Sequence, residues 1–179
     1  ALCQLYDARP EMIVCDEHPD YFSTRWAAEQ SLPGMRVQHH HAHVVAGMLE
    51  PGWLDRQVLG VAWDGTGYGP DGTIWGGEFL IATAEGFERI ASFRPLSLVG
   101  GDRAVREVWR LALALVEDAF GGAPPYEALK LFDAVPRSDL HVVRQMLGQR
   151  LNTPRARGVG RYFDAFGALG LARPRSAYE

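Results

Sequence analysis

Four of the six histidines of this chain lie within five positions, as His39, His40, His41 and His43. Neighbouring imidazoles lose hydration when buried and repel each other once protonated, so packing alone does not account for this density. His39 and His43 are four residues apart, which on a helix places both rings on one face, one turn from each other. Two histidines at this spacing can chelate a divalent metal such as zinc. The sequence therefore predicts a metal site on a helix that the apolar residues 44–49 continue.

The residue after the first histidine argues against protease chemistry. In a zinc protease that position holds the glutamate that acts as general base, and here it is His40. A metal at this site would therefore orient or polarise a ligand rather than drive peptide hydrolysis. The alternative is a group of histidines that are solvated or satisfied in a core, which is the usual meaning of a single histidine.

A glycine-dense segment forms the second candidate site. It reads Asp-Gly-Thr-Gly-Tyr-Gly over residues 64–69, directly after an apolar strand predicted for residues 57–63, and the loop predicted here extends to Gly72. Its glycines allow backbone N–H groups to close on an anion, and Asp64 at the end of the strand could bind a metal or its water. A Walker loop would end in Gly-Lys-Ser/Thr and a Rossmann loop would lead into a helix, and neither applies here. A tight hairpin with glycines at positive φ is the alternative.

Three other polar groups are further candidates. The glycine-rich stretch continues to Glu78, a second acidic side chain. Residues 16–21 form a predicted loop at the C-terminal end of a strand, where open α/β sheets bind ligands, although an ordinary loop leading to a helix N-cap at residues 23–24 accounts for them equally well. Arg161 could hold a phosphate that Asp164 orients, but a salt bridge at the start of a helix is the commoner arrangement.

The elements that position these groups alternate between strands and helices in the first part of the chain. We predict the end of a helix over residues 1–8, strands at 11–15 and 35–37, and helices at 23–30 and from the histidines onward. This βαβα order is typical of a parallel or mixed sheet covered by helices.

The pattern changes after the turn at residues 51–52. We predict strands at 57–63, 73–82 and 87–94 that form a hairpin or meander, with a bend at Gly76-Gly77. Three helices follow, at 104–120, 139–151 and 160–171. The residues of the first of these that are predicted to face a core are Val108, Leu111, Leu115 and Phe120.

The composition is that of a folded domain, with 47% hydrophobic residues. A net charge of −4 argues against a nucleic-acid surface built on bulk charge. Cys3 and Cys15 are too few for a zinc finger or a disulfide framework and suit a reducing cytoplasm. No apolar run approaches the ~20 residues of a membrane span. Because the chain opens without Met and both ends read as cut, we expect a fragment of a longer cytoplasmic protein.

Five segments, in order along the chain, resemble the HypF family of carbamoyltransferases, which serve nickel–iron hydrogenase maturation. They are residues 14–24, 37–43, 64–78, 98–102 and 160–164. The histidine cluster followed by the Asp-Gly-Thr-Gly-Tyr-Gly segment is highly specific, whereas either motif alone would not be. The resemblance is to the C-terminal domain of the family, which is similar to tRNA threonylcarbamoyl-transferases and antibiotic O-carbamoyltransferases.

This resemblance implies an α/β fold of the ASKHA type, with two lobes related to actin and the sugar kinases and a nucleotide in the cleft. Residues 1–52 would be the end of the first lobe, with the metal-binding histidine helix. Residues 53–179 would be the start of the second lobe, with a phosphate loop and a helical segment. The first-lobe phosphate hairpin and a further metal-binding Asp of the family are not among these residues, so the fragment alone is expected to be inactive.

The resemblance also assigns residues by position. His39, His43 and Asp64 match the metal ligands of the family, for which His₂-carboxylate ligation admits Zn²⁺ or Fe²⁺. The metal would grip the phosphate of the nucleotide or polarise the carbamoyl carbonyl. The residues that match the second phosphate loop are Gly65, Thr66, Gly67, Tyr68 and Gly69.

The implied reaction is the transfer of a carbamoyl group from carbamoyl-adenylate, made from carbamoyl phosphate and ATP, to the C-terminal cysteine of a HypE-type protein. That group later becomes cyanide on the hydrogenase iron. Two alternatives stay open: a non-catalytic nucleotide- or metal-binding module, and O-carbamoylation of a small molecule.

Overall fold

Two parallel strands joined by a helix lead directly into the histidine helix. The computed structural model describes residues 2–121 and 123–176. The first elements are α1 (Leu2–Leu5), β1 (Ile13–Asp16), α2 (Phe22–Ala28), β2 (Gly34–Val37) and α3 (His39–Leu49). β1 and β2 pair in parallel, with Asp16 opposite Val37. The predicted βαβα order is confirmed.

A second, mixed sheet follows, built on an antiparallel meander. Its strands β3 (Val58–Tyr68), β4 (Ile74–Ala82) and β5 (Phe87–Ser92) pair with β4 in the middle. Two short strands, β6 (Leu96–Ser97) and β7 (Arg155–Ala156), extend the sheet in the order β3-β4-β7-β6. The predicted meander is confirmed.

The glycine-dense segment is not the long loop that the sequence predicts. β3 continues through Asp64 to Tyr68, and only residues 69–73 form the turn of the hairpin. The strand continues because Gly67 regains a partner on β4, Trp75, after an interruption of the ladder. Buried backbone groups need hydrogen-bond partners. This need outweighs the weak strand propensity of glycine.

The larger core cluster lies among the C-terminal helices. These are α4 (Arg103–Arg106), α5 (Trp109–Phe120), α6 (Arg137–Gln149) and α7 (Val159–Leu171), with two 3₁₀ turns (Tyr126–Ala128 and Lys130–Ala134) before α6. α5 is central to the cluster, because Leu111, Ala112 and Leu113 are all 0% exposed. α7 contributes Ala165 and Ala168 to the same cluster. None of the helices in the described ranges is long and apolar enough to cross a membrane.

The helix predicted over residues 104–120 is divided in two at Glu107. The backbone leaves helical geometry at this residue, with φ −97° and ψ 70°. The Glu107 carboxylate is largely buried and lies 2.9 Å from Arg103 and 2.6 Å from Arg110. One carboxylate therefore joins the two short helices, an arrangement that helical periodicity does not reveal.

The prediction that Phe120 faces the core is wrong. Val108 and Leu111 are buried and Leu115 is half-buried, but Phe120 is 55% exposed. It is the last residue of α5, and Gly121 ends the helix in the left-handed conformation at φ 60°. The position is therefore beyond the helical turns that the core covers.

A smaller cluster packs α3 against the β3–β4 hairpin. Val44 and Met48 of the helix join Ala62, Trp75, Leu80 and Ala82 of the two strands. The helix approaches closely because Gly60 on β3 lies beneath Val44, where a Cβ would come within 2.4 Å of a Val44 methyl carbon. This contact brings the histidine helix to the end of β3.

The turn of the hairpin is built around the carboxylate of Asp71. It accepts hydrogen bonds from the backbone N–H and hydroxyl of Thr73 (3.1 and 2.7 Å), from Trp75 Nε1 (2.9 Å) and from Arg89 (2.9 Å). Burial raises the pKa of this carboxyl, but the hydrogen bonds outweigh that effect and hold the pKa below its ordinary value.

Replacing Asp71 by Asn is expected to lower the free energy of unfolding at pH 7 by about 1–2 kcal/mol, because charge-assisted hydrogen bonds are lost. Since the pKa is lower in the folded than in the unfolded chain, this stabilisation is present above the unfolded value of 3.8 and is lost as the pH falls through the folded value. Urea denaturation at pH 7 and pH 3 should show a smaller difference between wild type and variant at pH 3. The exposed Asp20→Asn is the matched control, and a difference of equal size at both pH values would contradict the assignment.

Candidate metal centre

Helix α3 divides the clustered histidines between two environments. Gln38 caps the helix, and its side-chain oxygen accepts a hydrogen bond from the backbone N–H of His41 (2.8 Å). His40 and His41 are 0% and 8% exposed. The side chains of His39 and His43 are 27% and 60% exposed and lie next to each other. Two histidines of the cluster are thus packing residues, and two are available to a ligand.

Three potential metal ligands converge beside α3. His39 Nε2 lies 2.8 Å from Asp64 Oδ2, His43 Nε2 lies 3.2 Å from His39 Nε2, and His43 Nε2 lies 3.9 Å from Asp64 Oδ2. These separations bracket the edge of roughly 3.3 Å that a tetrahedron with metal–ligand bonds of about 2.0–2.1 Å would have. Within residues 2–121 and 123–176, this is the group of three His, Cys, Asp or Glu side chains that could hold a metal ion.

The protonation of His39 makes this convergence informative. Its other ring nitrogen, Nδ1, lies 2.8 Å from Oδ2 of Asp16, and only the nitrogen can donate to an ionised carboxylate. Neutral His39 then presents a lone pair at Nε2 towards the Asp64 carboxylate, 2.8 Å away, and His43 Nε2 lies 3.2 Å from the same nitrogen. Positive charge at His39 Nε2, from a proton or from a metal ion, makes the contact with Asp64 favourable.

The pKa shifts agree with a site that attracts positive charge. Burial lowers the pKa of His39, but the hydrogen bonds to Asp16 and Asp64 outweigh it, so the pKa is raised overall. Burial raises the pKa of Asp64, but the Gly65 N–H and His39 outweigh it, so this pKa is lowered overall. Both shifts favour the charged forms of the two groups.

The two buried histidines hold the helix in place. His40 packs against Gly67 of β3, and burial together with the neighbouring His39 lowers its pKa to about 4, so it is neutral at physiological pH. His41 Nε2 lies 2.8 Å from the carbonyl oxygen of Thr83, and its ring contacts Phe87. These contacts fix the rotation of α3 about its axis, and hence the positions of His39 and His43.

Asp64 reaches the histidines because β3 bulges at this point. Residues 64–66 lie opposite Gly76 alone, so two residues of β3 have no counterpart on β4. Gly76 has φ 149°, and a Cβ there would lie 2.5 Å from the Asp64 carbonyl oxygen, so only glycine fits. The Gly65 N–H donates to Asp64 Oδ1 (2.6 Å), which leaves Oδ2 for the histidines.

Of the five residues predicted as a phosphate loop, four form the end of β3, and Gly69 begins the turn of the hairpin. Gly65 is half-buried and Thr66 is exposed. Gly67 is buried beneath His40, and Gly69 is buried beside Trp75. The Tyr68 carbonyl oxygen accepts a hydrogen bond from the Gln38 side chain (3.0 Å), which ties this strand to the start of α3.

The N-terminus of α7 lies against the same segment. Gly158 caps this 13-residue helix, and a Cβ on Gly158 would lie 2.3 Å from the Gly65 carbonyl oxygen. Helix N-termini carry unsatisfied N–H groups and partial positive charge, and both favour anions. The N-terminus of α7, which favours anions, thus lies beside Gly65.

Two other predicted polar groups have structural roles. Glu78 is 0% exposed and accepts hydrogen bonds from the backbone N–H groups of Gly76 (3.2 Å) and Gly77 (3.4 Å), so it holds the bend in β4 and lies outside the metal-ligand group. Arg161 and Asp164 form an i,i+3 salt bridge of 3.0 Å in the first turns of α7. The simpler interpretation of that pair is confirmed.

Asp16 and Gln38 are the contacts of this site that the sequence analysis did not connect with the histidines. The predicted order of strands and helices could nevertheless have placed both residues near the histidines. β1 and β2 are neighbouring parallel strands, whose C-terminal ends meet at one edge of a sheet. Asp16 ends the first strand, and Gln38 and His39 directly follow the second.

Comparison with known protein families gives matches along nearly the whole chain. Residues 1–50 match the HypF Kae1-like domain, and residues 60–179 match the second subdomain of the carbamoyltransferase Kae1-like domain. The chain belongs to the HypF carbamoyltransferase family. The resemblance that the motifs suggest is therefore confirmed over nearly the whole chain.

Individual HypF proteins give the same assignment. The chain is 42% identical to carbamoyltransferase HypF of Synechocystis sp., over 94% of this chain and 24% of that protein. It is 42% identical to carbamoyltransferase HypF2 of Cupriavidus necator, over 99% of this chain and 22% of that protein. A crystal structure of full-length HypF in the phosphate- and nucleotide-bound form superposes with a TM-score of 0.86 at 35% identity, over 99% of this chain and 27% of that one. The chain thus spans about a quarter of the length of these HypF relatives.

Replacing Gly67 by Ala is expected to displace the ligand histidines, because its Cβ would lie 2.4 Å from His40 Cε1 and 3.1 Å from His39 Cδ2. We expect a loss of about 1–3 kcal/mol in the free energy of unfolding, as is typical of overpacking, together with weaker Zn²⁺ binding. Denaturation and a zinc titration against a chelator measure the two effects. The matched control is Gly47→Ala on α3, whose Cβ would meet nothing within 4 Å. Equal zinc affinity in both variants would contradict this account.

Proposed function

We propose that the chain is part of a carbamoyl-transfer domain in which His39, His43 and Asp64 hold one divalent metal ion. The observation that carries the proposal is the convergence of three potential ligand atoms, His39 Nε2, His43 Nε2 and Asp64 Oδ2, with separations of 2.8–3.9 Å. Membership of the HypF carbamoyltransferase family supplies the class of reaction.

The donor set suits Zn²⁺ or Fe²⁺, since two imidazole nitrogens and one carboxylate oxygen are ligands that both ions accept. Three protein ligands from this chain leave at least one coordination position for water, substrate or another group. Bound there, the metal ion would supply a Lewis acid for a phosphate or carbamoyl oxygen. The residues of this chain orient the two imidazoles and set the negative charge of the site.

The nucleotide is proposed to lie beside the end of β3. The backbone N–H groups of the exposed Thr66 and of the first turn of α7 are the proposed donors to its phosphate oxygens. A related HypF crystallises with phosphate and nucleotide bound, which supports a nucleotide for this domain. In an ASKHA-type arrangement, residues 1–52 and 53–179 would contribute to two lobes with the nucleotide between them.

The proposed reaction is attack of a cysteine thiolate on the carbonyl carbon of carbamoyl-adenylate. The new bond joins sulfur to that carbon, the carbon–oxygen bond to the phosphate breaks, and AMP leaves with the bonding electron pair. The donor is made from carbamoyl phosphate and ATP, and the acceptor is the C-terminal cysteine of a HypE-type protein.

Replacing His43 by Ala in the intact protein is expected to remove the metal and to stop carbamoyl transfer. The loss of affinity should exceed the roughly 10–100-fold that loss of an outer-shell partner costs, because a direct ligand is removed. Metal content by elemental analysis and formation of carbamoylated acceptor by mass spectrometry measure the two effects. His141→Ala, on the exposed face of α6, is the matched control. Retention of both metal and transfer by His43→Ala would refute the site.

The same assay distinguishes the proposed acceptor from the alternatives. Carbamoyl transfer to a HypE-type protein should disappear when its C-terminal cysteine is replaced by serine. Transfer to a small alcohol in place of the protein would indicate an O-carbamoyltransferase. Binding of metal and nucleotide without turnover of either acceptor would indicate a non-catalytic module.

A further inference from the structure

Asp16 contacts the face of His39 that points away from the proposed metal. Its Oδ2 lies 2.8 Å from His39 Nδ1, and its Oδ1 accepts a hydrogen bond from the backbone N–H of His18 (2.8 Å). The carboxylate is 16% exposed. Both oxygens of Asp16 are therefore engaged, one by the loop and one by the histidine.

The position of Asp16 is set by backbone pairing rather than by a flexible side chain. It lies opposite Val37 in the parallel β1–β2 pair, and the Glu17 N–H donates to the Val37 carbonyl oxygen (3.2 Å). The hydroxyl of Thr24, which is 1% exposed, donates to the Asp16 carbonyl oxygen (3.1 Å). His39 follows β2 by two residues, so the two side chains meet at the same edge of this sheet.

We propose that Asp16 is a positioning residue for the metal centre. This inference rests on the proposed metal site at His39, His43 and Asp64. By accepting the Nδ1–H of His39, the carboxylate fixes the ring in the tautomer whose Nε2 carries a lone pair, and it holds that lone pair towards Asp64 and His43. It also makes Nε2 a stronger electron-pair donor, as carboxylates do when they hydrogen-bond to metal-ligating histidines.

An ordinary surface ion pair explains the contact between Asp16 and His39 less well than a positioning role does. Exposed ion pairs join flexible side chains and contribute little. Here the carboxylate is largely buried, its second oxygen is held by the loop backbone, and the other ring nitrogen of the same histidine faces a second carboxylate at 2.8 Å. With Nδ1 held by Asp16, Nε2 is the nitrogen of His39 that faces Asp64 and His43.

Replacing Asp16 by Asn tests this role because the amide has one acceptor oxygen where the carboxylate has two. If that oxygen continues to accept from the His18 N–H, the NH₂ group faces His39 Nδ1. The NH₂ group then favours the His39 tautomer with hydrogen on Nε2, and a protonated Nε2 cannot bind the metal. A change of one atom thus opposes metal binding while the size of the side chain is kept.

The experiment compares Zn²⁺ affinity in Asp16→Asn, Asp20→Asn, His43→Ala and wild-type protein, by competition with a chelator. Asp20→Asn removes the same charge from the exposed part of the same loop. We expect Asp16→Asn to lose about 10–100-fold in affinity and Asp20→Asn to stay within about 3-fold of wild type. Equal affinity of Asp16→Asn and wild type would overturn the inference, and so would equal losses in the two Asn variants.

Two further readouts keep the result decisive. In zinc-loaded wild-type protein with isotope-labelled histidine, NMR should show His39 protonated at Nδ1 and bound to zinc through Nε2. Zinc on Nδ1 would overturn the inference even if Asp16→Asn did not fold. If His43→Ala kept its zinc, the proposed metal site itself would fail. Loss of zinc in His43→Ala with full retention in Asp16→Asn would overturn the role of Asp16 alone.

Discussion

His39 lies between two carboxylates, with Nδ1 2.8 Å from Asp16 and Nε2 2.8 Å from Asp64, and positive charge on or beside the ring stabilises this arrangement. His43 Nε2 lies close to both partners of the second contact, 3.2 Å from His39 Nε2 and 3.9 Å from Asp64 Oδ2. One proton can bridge one pair of these atoms, whereas a divalent metal ion binds all three. The proposed metal site rests on the convergence of these three atoms, and the surrounding structure keeps them together.

Glycines allow that convergence by letting backbone segments approach closely. Gly60 and Gly67 leave room on β3 for the residues of α3 that lie over them, and Gly76 leaves room on β4 for the bulge that carries Asp64. The buried His40 then contacts Gly67, so the helix cannot rotate without losing this packing. The abundance of glycine near residue 65 thus has a packing role besides any contact with phosphate.

The spacing of the histidines predicted the helix and the pair His39–His43, because both depend on local helical geometry alone. Asp64 was placed with them only through the family resemblance, since its position depends on a strand register that the sequence does not display. The same limit explains why the predicted loop is wrong over residues 64–68, where tertiary pairing outweighs the turn propensity of glycine, whereas residues 69–72 do lie in the turn. Asp16 was noted as part of a loop, but its contact with His39 depends on the pairing of β1 with β2.

X-ray absorption spectroscopy of the zinc-loaded protein tests the central claim most directly, because it counts the ligand atoms around the metal. The account predicts two imidazole nitrogens at about 2.0–2.1 Å and carboxylate or water oxygens at about 2.0–2.2 Å. A sulfur atom at about 2.3 Å, or a spectrum without the outer scattering of imidazole rings, would contradict it.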